Sequence, residues 1–386
     1  MIKYNITQGD IIMLPFVLLF DYGNEKQESS YDVSVYGNNN YILNKQTGNL
    51  FASGAAGFMG DNTTKYYITQ IESNVHSCEI GFISSWIIKK DKTVFLLGNK
   101  GSVGVTGTAT EWFEITNLFS AVPEIWDNLF ECTVQLGYNC IRVMTPQGSI
   151  YAVGTNTYGA LGTGTTTSAT AFVKSGAVDA VRIESTERSV FYQNSTGQWF
   201  GCGDNTYGIL GTGTTASRVN SYTAPVWTNA EAVSFSNRGI IYSLNGTLYS
   251  CGDKVNGQLG DGYTQSIDAA RSTPYTIGTA YQIGQEITKS TQLSANIFVG
   301  TDNKFYGTGS IPAGINGSAS AALSAVTALS LTLPTGVTYN DIISFNTGTV
   351  TFVQANGQLF YVGRRTYIDN SSEITSQFSV VNGLDN

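Results

Sequence analysis

A glycine-rich segment occurs twice in this chain, 49 residues apart and nearly unchanged. Residues 154–166 read GTNTYGALGTGTT and residues 203–215 read GDNTYGILGTGTT, so that 11 of 13 positions agree. A third copy at 252–264, GDKVNGQLGDGYT, keeps the glycines and the Leu-Gly pair. Self-similarity at a fixed period near 50 residues indicates one supersecondary unit repeated along the chain, and this constrains the fold more than any other feature.

In each copy the glycine-rich loop follows a short hairpin. The third copy has Asn245-Gly246 between two apolar runs, and this pair predicts a tight turn because glycine readily adopts a positive φ. The same template finds weaker units on both sides of the strong ones. Seven units result, with spacings of 44 to 57 residues between the glycines that end their hairpins, which are Gly54, Gly98, Gly154, Gly203, Gly252, Gly309 and Gly363.

Two further apolar runs precede each hairpin. In the fifth unit these are Ile240-Ile241-Tyr242 and, upstream of it, Ala232-Val233-Ser234-Phe235. Four short strands in each of seven units, with no extended helical periodicity, predict an all-β, seven-bladed β-propeller. A ring of small sheets buries faces that a single sheet would expose and leaves few free edges.

The repeats resemble those of the RCC1-like (regulator of chromosome condensation 1) propellers. Residues 151–164 and 200–213 match the consensus x-Tyr-x-x-Gly-x-Asn-x-x-Gly-x-Leu-Gly-x-Gly closely, and 249–262 matches with Asn256 displaced. The resemblance covers about residues 33–386 and implies a seven-bladed scaffold. We therefore expect a propeller over 33–386, preceded by an extension over residues 1–32.

The chain departs from the family pattern in one respect. That family usually carries Ala-Gly-x-x-His-Ser in an inner strand, and the corresponding pairs here are Asn139-Cys140, Arg188-Ser189 and Arg238-Gly239. The resemblance thus implies the scaffold. It does not imply exchange-factor activity on a small GTPase or binding to chromatin. Other members of the superfamily are protein-binding inhibitors or lectin-like and adhesive modules, so the scaffold leaves the partner open.

The N-terminal extension contains an apolar run, residues 11–20. Ten apolar residues are too short to span a membrane, so no membrane insertion is expected. The run also lacks a basic segment before it, beyond Lys3, and a small-residue cleavage site after it, so it does not resemble a signal peptide. We expect a strand that completes the last blade and closes the ring; the alternative is a segment that docks to a partner subunit.

The composition restricts the partners. Lys and Arg number 20 against 28 Asp and Glu, which gives a net charge of −8 that repels phosphate backbones, so nucleic-acid binding is not expected. Charged residues make up only 12% of the chain, about half the usual share, and Gly, Thr, Ser, Asn and Tyr are correspondingly frequent. A large surface of uncharged polar residues is typical of extracellular adhesins and of viral fibre or tail proteins.

Catalytic and metal sites are poorly supported. The one histidine, His76, would have to serve any Ser-His-Asp triad, and a histidine cluster for a metal is excluded by counting. The five cysteines form no CxxC pair and are expected to be buried free thiols. The acids of the glycine-rich loops are Asp61, Asp204, Asp253 and Asp261, and no calcium-loop spacing is met. The first three recur with the repeat and are expected to bind their own loop backbone. We therefore predict no enzyme activity, no cofactor and no metal.

Aromatic residues are the best candidates for a binding surface. Tyr158 and Tyr207 occupy equivalent positions in the first two glycine-rich loops, and Tyr263 lies in the third. Trp112 and Trp126 fall in the long connection over residues 105–131. Tyrosines in Gly/Thr/Asn-rich loops bind proteins or sugars at a low entropic cost, although packing between blades would explain them equally well.

These observations predict a non-enzymatic interaction or structural module. The composition favours a virion component, such as a phage tail, fibre or receptor-binding protein, whose partners would be other virion subunits or a cell-surface receptor or glycan. The alternatives are a cytoplasmic RCC1-type regulator, acting as an inhibitor or exchange factor, and a carbohydrate-active propeller enzyme that uses paired carboxylates.

Overall fold

The structure is a computed structural model of the full chain. It describes residues 30–384 apart from short gaps, which fall at 216, 226, 231, 237, 264–270, 280–282, 286–294, 301, 312–314, 316–320, 339–340, 348–349 and 369.

The described residues form seven antiparallel sheets of four strands each, and each sheet takes its strands in chain order. This is the predicted seven-bladed β-propeller. The strands of blades 1 to 4 are β1 (Tyr31–Tyr36), β2 (Asn39–Asn44), β3 (Leu50–Gly54), β4 (Lys65–Glu72), β5 (Val75–Ile80), β6 (Ser84–Lys89), β7 (Val94–Asn99), β8 (Thr108–Glu114), β9 (Thr133–Gly137), β10 (Cys140–Met144), β11 (Ile150–Gly154), β12 (Ala169–Lys174), β13 (Ala180–Ser185), β14 (Ser189–Asn194), β15 (Trp199–Gly203) and β16 (Val219–Thr223).

Blades 5 to 7 repeat this arrangement. Their strands are β17 (Ala232–Phe235), β18 (Gly239–Leu244), β19 (Thr247–Gly252), β20 (Arg271–Thr279), β21 (Ile283–Gln285), β22 (Ala295–Gly300), β23 (Lys304–Ile311), β24 (Ala321–Thr332), β25 (Ile342–Thr347), β26 (Val350–Ala355), β27 (Gln358–Arg364) and β28 (Ile374–Val380). The two short α-helices of the described chain both join blade 2 to blade 3, and are α1 (Thr116–Ser120) and α2 (Pro123–Trp126). Within the described ranges, single 3-10 turns occur in four loops, at Ala56–Phe58, Lys100–Val103, Val255–Gly257 and Arg365–Tyr367.

Burial gives the radial order of the strands. Second strands such as β2 and β26 are buried at every residue, whereas fourth strands such as β4 and β12 contain no buried residue. First strands contact the first strands of adjacent blades, as β1 does with β5 and β25. The first strands therefore surround the axis, the second and third form the core, and the fourth form the outer wall.

The glycine that ends each hairpin lies within two residues of the end of a third strand, as the repeat predicted. All seven of these glycines have positive φ, from 86° to 140°. Gly203 shows why: it pairs with Ser189 of β14, and a Cβ built on it would lie 2.7 Å from the Ser189 Cα. In all seven blades the register to the fourth strand also shifts at this glycine, a bulge that bends the outer strand.

The antiparallel order gives the ring two distinct faces. We call the upper face the one that carries the loops from first to second strand and from third to fourth strand, and the other the lower face. All glycine-rich loops lie on the upper face. The connections between blades, including α1 and α2, lie on the lower face.

Ring closure joins blade 7 to blade 1 by packing. Val35 and Ile42 of blade 1 share a buried cluster with Phe352 and Leu359 of blade 7. Near the C-terminus, the Leu384 carbonyl oxygen accepts a hydrogen bond of 3.0 Å from the Asn44 side chain.

Blade 7 already has four strands from one continuous stretch, β25–β28, so a ring-closing strand from residues 11–20 would be a fifth. That segment, and nearly all of the extension over 1–32, lies outside the described residues, and β1 begins at Tyr31, slightly before the expected boundary.

Replacing Gly203 by alanine should cost about 3 kcal/mol in the free energy of unfolding, because it adds a backbone clash to an unfavourable φ. Gly213 is the matched control, since its φ is +80° but a Cβ there meets no atom within 4 Å. Gly213→Ala should cost only about 1 kcal/mol, the steric penalty of the left-handed conformation. Urea denaturation measures both values, and equal losses would show that the close approach to Ser189 contributes nothing.

Candidate functional site

An asparagine that recurs in the first two glycine-rich loops holds each of these loops closed. The Asn156 side chain is fully buried; its Oδ1 accepts from Leu161 N at 2.9 Å and its Nδ2 donates to Thr165 O at 2.8 Å. Asn205 makes the same two bonds one blade later, with Leu210 N at 3.0 Å and Thr214 O at 2.9 Å. The glycine-rich motif, the strongest in the sequence, therefore has a structural role, since its buried asparagine forms hydrogen bonds with two backbone groups of the loop.

The loop aspartates bind local backbone amides, as the sequence predicted. Asp204 Oδ1 accepts from Thr206 N at 2.9 Å, and Asp253 Oδ1 accepts from Val255 N at 3.1 Å. Asp61 accepts from Thr63 N at 3.0 Å, and hydrogen bonds from Lys65 and Thr63 lower the pKa of its carboxyl to about 2. Within the described residues, no group of three His, Cys, Asp or Glu side chains could hold a metal.

Tyr158 packs between blades on the upper face. Its ring lies 4.6 Å from the guanidinium carbon of Arg188, which comes from the first loop of blade 4. Tyr138 of blade 3 lies 5.3 Å from the same carbon, so the guanidinium contacts two rings. Arg188 also forms an ion pair of 3.2 Å with Glu187 and lies 3.8 Å from Asp204. A cation stacked on aromatic rings contributes about 0.5 to 2 kcal/mol, so this contact fastens blade 4 to blade 3.

Tyr207 repeats this contact one blade further on. The Arg238 guanidinium carbon lies 4.7 Å from the Tyr207 ring centre, and Arg238 NH1 donates to the Tyr207 hydroxyl at 3.0 Å. Arg238 NH1 lies 3.8 Å from the Asp253 carboxylate. The arrangement of tyrosine, arginine and aspartate is therefore a repeated feature of the upper face.

Tyr263 is the most exposed of the three candidate tyrosines. Its side chain is 49% exposed, and the Lys254 ammonium lies 5.0 Å from its ring centre. It shares the upper face with Tyr158 and Tyr207 because all three belong to loops between third and fourth strands.

The two candidate tryptophans lie elsewhere. Trp112 is on β8, the outer strand of blade 2, and packs against the buried cluster containing Met59 of blade 1. Trp126 ends α2 on the lower face, where the Lys92 ammonium donates to its carbonyl at 2.9 Å and lies 5.2 Å from its ring centre. The five aromatic candidates thus occupy three separate surfaces, and part of the connection over 105–131 is the regular fourth strand of blade 2.

A small groove lies on the upper face between blades 4 and 5. Its lining includes Arg188, Arg238, Tyr207, Ser189 and Ile209. The acidic groups are the more buried ones: the side chains of Asp204 and Asp253 are 9% and 5% exposed, against 31% and 39% for Arg188 and Arg238. The surface that a ligand meets is therefore cationic and aromatic.

The sequence alone did not single out Arg188, Arg238 or Tyr138 as site residues. A signal was present, because the two arginines stand where the family pattern has histidine. Arginine is common on protein surfaces, however, so these two positions do not stand out. The tyrosine partners of Arg188 come from the adjacent blade, and the repeat pattern does not specify contacts between blades.

The cysteines are all free thiols, three of them buried and two, Cys78 and Cys132, partly exposed. Burial raises the pKa of Cys251 to about 12, so the thiol stays protonated. Among the described residues, no helix has the length and apolar character needed to cross a membrane.

Glu124 anchors the helical connection on blade 3. Its carboxylate accepts from the Thr145 hydroxyl at 2.8 Å and from the Tyr151 hydroxyl at 2.7 Å, and lies 3.6 Å from the Lys174 ammonium. Partial burial raises its pKa, but hydrogen bonds from Ser149, Tyr151 and Thr145 outweigh burial and hold the pKa at about 2.

Solved structures share this fold. Human WBSCR16 superimposes with a TM-score of 0.61 at 16% identity, covering 83% of this chain and 85% of its own. Yeast RCC1 (Prp20), in its complex with Kap60, gives 0.66 at 13% identity, with 99% and 92% covered. Prp20p from Saccharomyces cerevisiae, in a study of its binding to Gsp1p and histones, gives 0.67 at 13% identity, with 93% and 87% covered.

These likenesses, together with the seven four-stranded sheets, show that the chain has the RCC1-like propeller fold. At such low identity they concern the fold alone. No protein-family profile matches the chain. No curated protein matches it either.

Glu124→Gln should lower the unfolding temperature at neutral pH. Because the folded-state pKa of about 2 lies below the ordinary value of 4.5, the carboxylate stabilises the fold fully above about pH 4.5. The difference between wild type and variant should therefore shrink as pH falls from 4.5 toward 2. Thermal melts followed by circular dichroism measure it, with Glu131→Gln, an exposed acid of the same connection, as the control. A pH-independent difference would contradict this account.

Proposed function

We propose that this chain is a non-catalytic propeller that binds a protein partner. The observation that supports this best is the pair of arginines stacked on tyrosines at the surface of the upper face. Arginine and tyrosine are enriched among the residues that dominate binding energy at protein interfaces. Side chains that are already held in place lose little entropy when a partner binds.

The more specific proposal is a virion component, such as a tail, fibre or receptor-binding subunit at the particle surface. Its support is the composition: charged residues are only 12% of the chain. The partner would be a neighbouring subunit or a receptor on the host cell.

The second candidate is a cytoplasmic RCC1-type regulator. Its support is the likeness to Prp20, a protein studied for its binding to Gsp1p and histones. Against it stand Arg188 and Arg238, which replace the histidine of the family pattern and stack on Tyr158 and Tyr207 instead.

Two measurements separate these candidates. Mass spectrometry of purified particles and of the soluble cell fraction, both from the source culture, should find the chain enriched in the particles. Immobilised chain should capture neither Gsp1p nor histones, with Prp20 as the positive control. Capture of Gsp1p together with absence from particles would contradict the virion proposal and favour the regulator.

A further inference from the structure

An aromatic and cationic rim follows the upper face across blades 2 to 5. We call it the upper-face rim; its members are Phe82, Tyr138, Tyr158, Arg188, Tyr207 and Arg238. The ring centres of Phe82 and Tyr138 lie 5.4 Å apart, and Tyr138 in turn contacts Arg188. Phe82, on the first loop of blade 2, is 38% exposed, so the rim offers an apolar surface at one end.

The guanidinium groups of the rim keep hydrogen-bonding capacity for a ligand. Arg188 and Arg238 each lie 3.8 Å from their aspartates, beyond normal hydrogen-bond length. Asp204 and Asp253 meanwhile direct one oxygen each to backbone amides. Glu187 pairs with the Nε of Arg188 at 3.2 Å, and the Tyr207 hydroxyl accepts from one terminal nitrogen of Arg238 at 3.0 Å. A guanidinium has five donors, so each arginine keeps N–H groups for a ligand.

Stacking fixes where these donors lie. Tyr138 and Tyr158 hold the Arg188 guanidinium, and Tyr207 holds that of Arg238 through its ring and its hydroxyl. The two arginines face the same groove. Preorganised guanidinium groups bind carboxylates in a bidentate geometry with little loss of rotamer freedom.

We propose that the upper-face rim binds an acidic segment of a protein partner, with carboxylates on Arg188 and Arg238 and an apolar side chain against Phe82. This inference rests on the proposed protein-binding function and adds the surface and the chemistry of the partner. A protein segment fits better than nucleic acid, because the two arginines of the rim match a pair of carboxylates beside an apolar side chain, whereas a nucleic acid needs cations along a continuous phosphate backbone.

Fluorescence anisotropy with a fluorescein-labelled decaglutamate peptide tests the proposal on the full chain. Decaglutamate should bind more tightly than decaglutamine, and its affinity should fall as sodium chloride is raised. Arg188→Gln/Arg238→Gln should weaken this binding about tenfold or more. The control, Lys45→Gln/Lys304→Gln, removes the same charge from exposed lower-face lysines and should leave the affinity unchanged.

Arg188→Lys/Arg238→Lys keeps the charge but loses the stacked planar group. It should bind decaglutamate more weakly than wild type and more tightly than the glutamine variant. If the glutamine variant does not fold, the test is the comparison of the lysine variant with wild type, and equal affinity of the two would overturn the proposal. Equal binding of decaglutamate by wild type and the glutamine variant would overturn the proposal. So would tighter binding of a decathymidine strand than of decaglutamate, which would point to nucleic acid.

The outcome is separable from that of the proposed function. If the chain is enriched in particles but does not bind decaglutamate, the proposed binding site on the upper-face rim is wrong and the virion proposal stands. Binding of decaglutamate by a chain absent from particles would support the rim and contradict the virion proposal.

Discussion

The propeller depends on one close approach between the third and the second strand, which recurs at the equivalent glycine of blades 1 to 5. A glycine with positive φ ends the third strand and lies where a side chain would collide with the second strand, as at Gly203 against Ser189. The same glycine shifts the register to the outer strand, so that strand bends around the blade. The position tolerates only glycine without strain, and it therefore stays recognisable in units that have lost the rest of the motif.

The glycine-rich loop that follows can vary because one buried side chain holds it. Asn156 and Asn205 each satisfy two backbone groups of their loops, which leaves the loop surface available for other roles. On that surface Tyr158 contacts Arg188, and Tyr207 contacts Arg238, each arginine coming from the next blade. The scaffold thus presents the same stacked pair twice, and these pairs connect blades 3, 4 and 5.

Much of the fold could be predicted from the sequence, and less of the candidate site. The seven glycines, the four strands and the backbone bonds of Asp204 follow from local patterns, because turn geometry and strand register act over a few residues. Tyr158, Tyr207 and Tyr263 were placed on a common surface by their equivalent loops. Trp112 and Trp126 are candidates because they fall in the long connection over residues 105–131, and the structure separates them onto the outer wall and the lower face.

The sequence by itself determined the number of blades, the strand that each glycine ends and the role of the repeated loop as scaffold. Only the tertiary structure decided that Arg188 contacts both Tyr138 and Tyr158, and that Asp204 and Asp253 are more buried than the arginines beside them. The physical reason is the range of each interaction. Blade geometry is fixed by hydrogen bonds within one unit. The contacts on the upper face depend instead on the angle between neighbouring blades and on the length of the side chains that extend from one blade to the next.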